Sequence, residues 1–298
     1  MGERPTARRS PPIPRRLALI CTGLLVAALV ISGTGAFLVL SASPGLTGLV
    51  PIGQWATTYT PDASDGDGAN IEVPAQVLNG KVIRPGGQFS FLTAVGPIDE
   101  AHGFKMGGVI LNGKLDPTGA IGGGICAAST AFFNAAARAG LRIDERHAHS
   151  FYIDGYPVGL DATVYSNDST TLDMRWTNDT NSPIVIRSWW DGGSTRVIHV
   201  ELWSSPTGRT TAFSGGLRTD IVKATDDIQY VPSLPGGRKT YREQDPVDGF
   251  STIVRRTVVD KNGTAIHSDV WSSQYAEVDG LLEIAGPPPP LAAPTPSA

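Results

Sequence analysis

The sequence predicts an α+β fold: mainly antiparallel sheet with a cysteine-bearing helix, then a small all-β module, behind one N-terminal transmembrane helix. Three observations carry this. The longest helical signal, residues 126–139, is rich in alanine, anchored by Phe132 and Phe133, and stopped by Gly140. Beyond residue 195 the apolar segments are short, β-branched or alternating, and separated by turn residues. Near the N-terminus lies a single long apolar run without charge.

The elements follow in order. Residues 1–16 form a basic cytoplasmic head, with Arg4, Arg8, Arg9, Arg15 and Arg16 against Glu3. The apolar run, residues 17–40, spans a hydrocarbon core of about 30 Å at about 1.5 Å per helical residue. Its basic flank keeps the N-terminus in the cytoplasm and places the rest of the chain outside. A cleaved signal peptide is the alternative, because Ser41-Ala42-Ser43 follows. The run exceeds a signal core of about 7–15 residues, which favours an uncleaved anchor. Residues 41–69, rich in Ser, Gly, Pro, Thr and Asp, read as a linker. The proline-rich tail, 286–298, reads as disordered.

Residues 70–190 read as one compact unit. A helix is expected over 71–78, closed by Asn79-Gly80, and a strand over 88–91 after the Pro85-Gly86-Gly87 turn. The Asn112-Gly113 pair predicts a hairpin, and strands are expected at 141–150 and 162–165. Segments 172–176 and 184–188 flank a polar turn and read as a second hairpin. Residues 195–285 read as a separate β module, with Asn262-Gly263 turning one long strand onto another that carries Trp271 and Tyr275.

The formal net charge is −4, and because the basic head contributes +4 the remainder carries −8. That argues against nucleic acid as a partner and fits a mildly acidic extracytoplasmic domain.

The chemistry concentrates at Gly122-Gly123-Gly124-Ile125-Cys126. A cysteine in the first turn of a helix meets unpaired amides and the positive end of the macrodipole, which favour thiolate. The other cysteine, Cys21, lies in the apolar run, so Cys126 is the lone exported thiol. Structural cysteines in oxidising compartments usually come in pairs, so a lone one points to reactivity. The alternative is a small buried hydrophobe. Glu145-Arg146-His147-Ala148-His149 follows the helix, and in a strand both imidazoles share one face. Either His147 or His149 would be the base, with Asp161 orienting it. The amides of Gly123, Gly124, Ile125 and Ala127 would face a developing oxyanion. Arg146 would grip a substrate carboxylate, or else pair with Glu145 or Asp144. His-x-His beside cysteine and aspartate is also a metal-ligand pattern, but no second cysteine supports it, and neither metal nor cofactor is expected.

These residues together resemble the VanW family, named for an accessory protein of some vancomycin-resistance clusters. The resemblance rests on Phe89-Ser90-Phe91, Val95-Gly96-Pro97, Gly103-Phe104, Gly122 to Thr130, Glu145-Arg146-His147 with His149-Ser150, and Asp161-Ala162-Thr163-Val164, in the family's order. Residues 246–286 are similar to the G5-like modules that often accompany VanW domains, through Gly249-Phe250, Val254-Arg255-Arg256, Asn262-Gly263 and Ser273-Gln274-Tyr275. The first resemblance implies work on peptidoglycan stem peptides, and on glycan through the module. Some VanW-domain proteins are thought to be L,D-transpeptidases that form a thioester on the cysteine matching Cys126 and pass the acyl group to an amine, giving 3-3 crosslinks. Binding without catalysis and hydrolysis by the same thiol are the alternatives. The chain departs from the family pattern twice: Ala127 replaces a glutamine, and Val158-Gly159-Leu160 replaces Pro-Gly-Arg.

Overall fold

The computed structural model describes residues 47–59, 66–111, 114–234 and 237–288; the basic head, the expected anchor and most of the tail lie outside them. Among the described residues no helix is long and apolar enough to cross a membrane.

The chain begins with β1 (Val50–Tyr59), α1 (Asp67–Leu78), β2 (Val82–Ile83), β3 (Gln88–Ser90), α2 (Phe91–Val95), β4 (Met106–Leu111) and β5 (Lys114–Ile121). Next come α3 (Cys126–Arg138), β6 (Arg142–Glu145), β7 (Tyr165–Ser166), β8 (Thr171–Leu172), β9 (Arg175–Thr177), β10 (Ile184–Gly192) and β11 (Arg196–Ser204). The remainder is all strand: β12 (Thr210–Gly215), β13 (Thr219–Val222), β14 (Asp226–Val231), β15 (Thr240–Gln244), β16 (Gly249–Val259), β17 (Ala265–Tyr275) and β18 (Gly280–Ala285). Pairing is antiparallel except between β14 and β18, so the mainly antiparallel class with few helices holds.

The core forms where α3 lies on the sheet β1-β11-β10-β2. Seven buried alanines between Ala127 and Ala139 keep this helix slim and let it approach β1 closely. A side chain at Gly53 of β1 would run into the Ala135 carbonyl, so only glycine allows that approach. The two phenylalanines face different ways. Phe132 packs on Phe89 and Phe91 at ring distances of 6.1 and 5.8 Å, whereas Phe133 meets Trp271 of β17 at 5.2 Å. Each fully buried aromatic ring contributes about 2–3 kcal/mol of hydrophobic stabilisation, so α3 serves as the hub between the first part of the chain and the β12–β18 module.

Five expectations need correction. The linker over 41–69 contains β1, which pairs with β11 along its whole length from Val50↔Ser204 to Tyr59↔Arg196. Its alternating burial, with Gly53, Thr57 and Tyr59 inward, is a strand signal diluted by the Thr, Gly and Pro around it. Because β11 belongs to that sheet, the module begins after Ser204 rather than at 195. Nor is the module separate: all the described residues fall in one compact unit, and Arg256 of β16, fully buried, donates to the Ala137 carbonyl at 3.0 Å.

The second hairpin does not form. β9 pairs with β3 and β6, while β10 pairs with β11 and β2. Asn178 sits at the crossing, its Nδ2 donating to the carbonyls of Ile83 and Ser182, both at 2.9 Å. It thereby ties the connection to a neighbouring strand instead of closing a tight turn. The strand expected over 141–150 stops at Glu145, and only an isolated bridge, His147↔Thr163, continues it.

Candidate thiol site

Cys126 is the first residue of α3, and Thr130 and Asn134 follow at intervals of four, so all three lie on one helix face. The extended segment 160–164 runs along that face. Asn134 Nδ2 donates to the Leu160 carbonyl at 2.7 Å, and Thr130 Oγ1 accepts the Ala162 amide at 3.0 Å. At the top, Cys126 Sγ accepts the Val164 amide at 3.5 Å and lies 3.5 Å from Thr163 Oγ1. Opposite, segment 146–149 is held to the same strip by the Thr163 amide on the His147 carbonyl, 2.9 Å. The glycine loop leading into Cys126 is pinned from behind. Buried Asn70 of α1 donates to the Gly123 carbonyl at 2.7 Å and to Lys105 O at 2.9 Å.

This scaffold brings a thiol, an imidazole and a carboxylate into a row. His149 is 5% exposed, and its Nδ1 lies 2.7 Å from Asp161 Oδ2, which also accepts the His149 amide at 2.7 Å. The other ring nitrogen, Nε2, is buried and has no hydrogen-bond partner within the described protein. Burial opposes ionisation of the Cys126 thiol, but the charge and hydrogen bonding of His149, with Thr163 and Val164, outweigh it and lower its pKa. Burial likewise disfavours the His149 imidazolium, yet Asp161 and Cys126 together raise its pKa to about 9. With Nδ1 committed to Asp161, Nε2 is the nitrogen left to serve the sulfur. Asp161 is desolvated too, and His149, Arg146 and Tyr275 reverse that effect and lower it to about 2. All three shifts run in the direction of thiolate, imidazolium and carboxylate, and Cys126 as a residue is part-exposed.

The other expected residues sit elsewhere. His147 is part-exposed and turns to Glu145, with Nε2 2.8 Å from Oε1. Arg146 is not available to a substrate: its side chain is 3% exposed, and Nε and Nη2 both bind Asp161, at 2.6 Å to the carbonyl and 2.6 Å to Oδ1. A guanidinium so deep is stable only when paired, and here it holds the carboxylate. Among the proposed oxyanion amides, Gly123, Ile125 and Ala127 are spent on the carbonyls of Ala120, Gly122 and Gly124, each at 3.1 Å. Gly124 and Cys126 itself are the loop amides for which no acceptor is found among the described residues. The Ala127 side chain points into the core at 5% exposure. Among the described residues no cluster of three or more His, Cys, Asp or Glu is arranged to hold a metal.

Sequence reasoning missed Thr130 and Asn134, although their spacing from Cys126 was available as a signal. It also missed Tyr275, whose hydroxyl donates to Asp161 Oδ1, because no local pattern links residues 114 positions apart.

Comparison with known proteins places part of the chain in a family. Residues 67–203 match the family model described as "VanW like protein". A Bacillus subtilis protein, "Uncharacterized protein YoaR", is 36% identical over 154 residues, covering 52% of this chain and 48% of its own. The "Vancomycin B-type resistance protein VanW" of Enterococcus faecalis is 33% identical over 119 residues, covering 38% of this chain and 41% of its own. The chain thus spans about half the length of these curated relatives or less. A solved structure titled "Crystal structure of HP0197-G5" is 19% identical, covers 26% of this chain and 97% of its own, and has a TM-score of 0.14, too low to bear on the module.

Proposed function

We propose that this chain, which carries a VanW-family domain at residues 67–203, is a thiol acyltransferase acting on peptidoglycan stem peptides outside the cell. The observation that carries the reading is the row Cys126–His149–Asp161, in which Asp161 holds His149 Nδ1, Nε2 is left without a hydrogen-bond partner among the described residues, and His149 lowers the pKa of the Cys126 thiol. The Cys126 thiolate attacks the carbonyl carbon of the bond before the terminal D-residue, and the carbonyl electrons move to oxygen, facing the amides of Gly124 and Cys126. The oxyanion collapses, the C–N bond breaks, and the His149 imidazolium gives its proton to the departing amine. A thioester remains. The side-chain amine of a neighbouring stem attacks it, His149 takes the amine proton, and the C–S bond breaks to restore the thiolate. The product is a 3-3 crosslink. Residues 17–40 anchor the enzyme to the membrane with the catalytic part extracytoplasmic, because the apolar run follows a basic flank.

The test is a mass measurement. Full-length protein incubated with disaccharide tetrapeptide is expected to gain one acyl adduct, absent in Cys126→Ala, and to yield dimeric muropeptide. Adduct with only monomeric tripeptide product would make it a peptidase, with water as acceptor. No adduct, with peptidoglycan still retained by the variant, would instead support the scaffold reading, which the replacement of the family glutamine by Ala127 favours.

A further inference from the structure

Part of what fixes Asp161 comes from beyond the family domain. Ser273 and Tyr275 stand two apart on β17, so both point to the same face, and each is 2% exposed. The Tyr275 hydroxyl donates to Asp161 Oδ1 and accepts the Gly159 amide at 3.2 Å. Ser273 Oγ accepts Arg146 Nη1 at 2.9 Å, and Arg146 Nη2 binds the same Oδ1. Both donors therefore grip Oδ1, which leaves Oδ2 to take the two bonds from His149. The main chain adds a further tie, the Ala276 amide on the Ser150 carbonyl at 2.7 Å. Burial and the adjacent carboxylate push the Tyr275 phenol well above its usual range, so it remains a donor across the working pH range.

We propose that Tyr275 is a positioning residue of the thiol site and that the β12–β18 module is a working part of that site rather than a tether. Its hydroxyl keeps the Asp161 carboxylate from turning, which keeps the His149 ring aimed at Cys126. The idea rests on Cys126 being the nucleophile of the proposed reaction, yet it can be tested on the thiol alone.

In the full chain, the rate of iodoacetamide alkylation would be followed across pH on the peptide carrying Cys126. Tyr275→Phe removes only the hydroxyl, since the ring keeps its packing on Phe250 at 4.9 Å and Tyr152 at 5.7 Å. The expected result at pH 6 is a fall of about threefold or more, with the midpoint of the profile moved upward as the thiolate loses its imidazolium. Tyr152→Phe is the control: its ring lies in the same stack, but its hydroxyl donates to the Tyr156 carbonyl. That variant is expected to alkylate like the native chain. Ser273→Ala, which loosens Arg146, is expected to show a smaller fall. An unchanged or faster rate in Tyr275→Phe overturns the proposal, as does an equal fall in both tyrosine variants. If the fall is seen while no acyl adduct ever forms, positioning stands and acyl transfer fails.

Discussion

Two aspartates in this molecule are held almost alike, and only one of them sits beside a nucleophile. Asp161 is bound by Arg146, His149 and Tyr275; Asp179 is bound by Arg209 Nη1 at 2.8 Å and His267 Nε2 at 2.7 Å. Both clusters join the first part of the chain to the β12–β18 module. In both, burial resists ionisation and the hydrogen-bonding arginine and histidine partners overcome it, so both carboxylates titrate below their usual range. The difference lies in what the imidazole reaches next. His149 has a second nitrogen free toward a sulfur at a helix N-terminus, whereas the Asp179 cluster fastens a junction, with Arg209 also holding the Gly140 carbonyl just past the end of α3 at 2.7 Å. An Arg–Asp–His cluster alone is thus a structural clamp. The thiol at the start of α3 converts one copy into a candidate machine.

Breaking the row at its imidazole should have the largest effect. His149→Gln is expected to lower acyl-adduct formation by about 10³-fold, within the range of about 10²–10⁴ typical of a general acid–base. His147→Gln should stay within about twofold, because its ring is spent on Glu145 and a modest positional disturbance is all it adds. Equal losses in single-turnover assays of both variants would refute the assignment of His149. Asp161→Asn should follow closely, with about a 10²-fold loss or more, since an amide in its place favours the wrong tautomer. Asp179→Asn should leave the adduct rate where it was.

Why the sequence disclosed some of this and not the rest follows from range. The helix over 126–139 was legible because alanine content, glycine stop and apolar anchors are all local, and α3 differs only by ending at Arg138. Cys126 stood out for the same reason. Choosing between His147 and His149 required knowing that the chain bends after Glu145, which depends on Arg146 diving onto a carboxylate 15 residues away. The sequence offers Arg146 as a surface cation equally well. The β1 strand was hidden because Pro51, Gly53, Thr57 and Thr58 interrupt its apolar residues, and only its pairing with β11, far along the chain, makes it a strand. Tyr275 was read as a strand residue and as part of the G5-like pattern, with no link to the thiol. Its role exists only in the packed molecule.

Titration sharpens the comparison on a smaller scale. The Cys126 thiol is lowered and the His149 imidazolium persists to about 9, so the midpoint of the alkylation profile should lie below the usual thiol value of about 8.5. Acyl transfer should then decline above about pH 9, where His149 loses the proton that the leaving amine requires. A raised imidazole contributes stability that is complete below its unfolded value of about 6.5 and is lost as pH rises through about 9. A depressed carboxylate does the reverse: the share from Asp161 is present above about pH 4 and disappears as pH falls through about 2. Alkylation with an ordinary midpoint near 8.5 would show that the thiolate is not held by the imidazolium.

The smallest effect is expected at the junction, and it is a stability effect. Asp179→Asn keeps the shape of the side chain but removes the charge that Arg209 and His267 share, with the Asp179 side chain 22% exposed. Hydrogen bonds to charged groups are worth about 1.5–3 kcal/mol each, and partial solvent access and the retained amide reduce the loss, so about 2 kcal/mol is expected. Urea unfolding followed by tryptophan fluorescence would report it as a lower midpoint at unchanged slope. The same variant should alkylate at Cys126 like the native chain, because none of its contacts touches Asp161. Should its alkylation profile shift as that of an Asp161 variant does, the two clusters would be coupled through the module, and the division between clamp and machine would no longer hold.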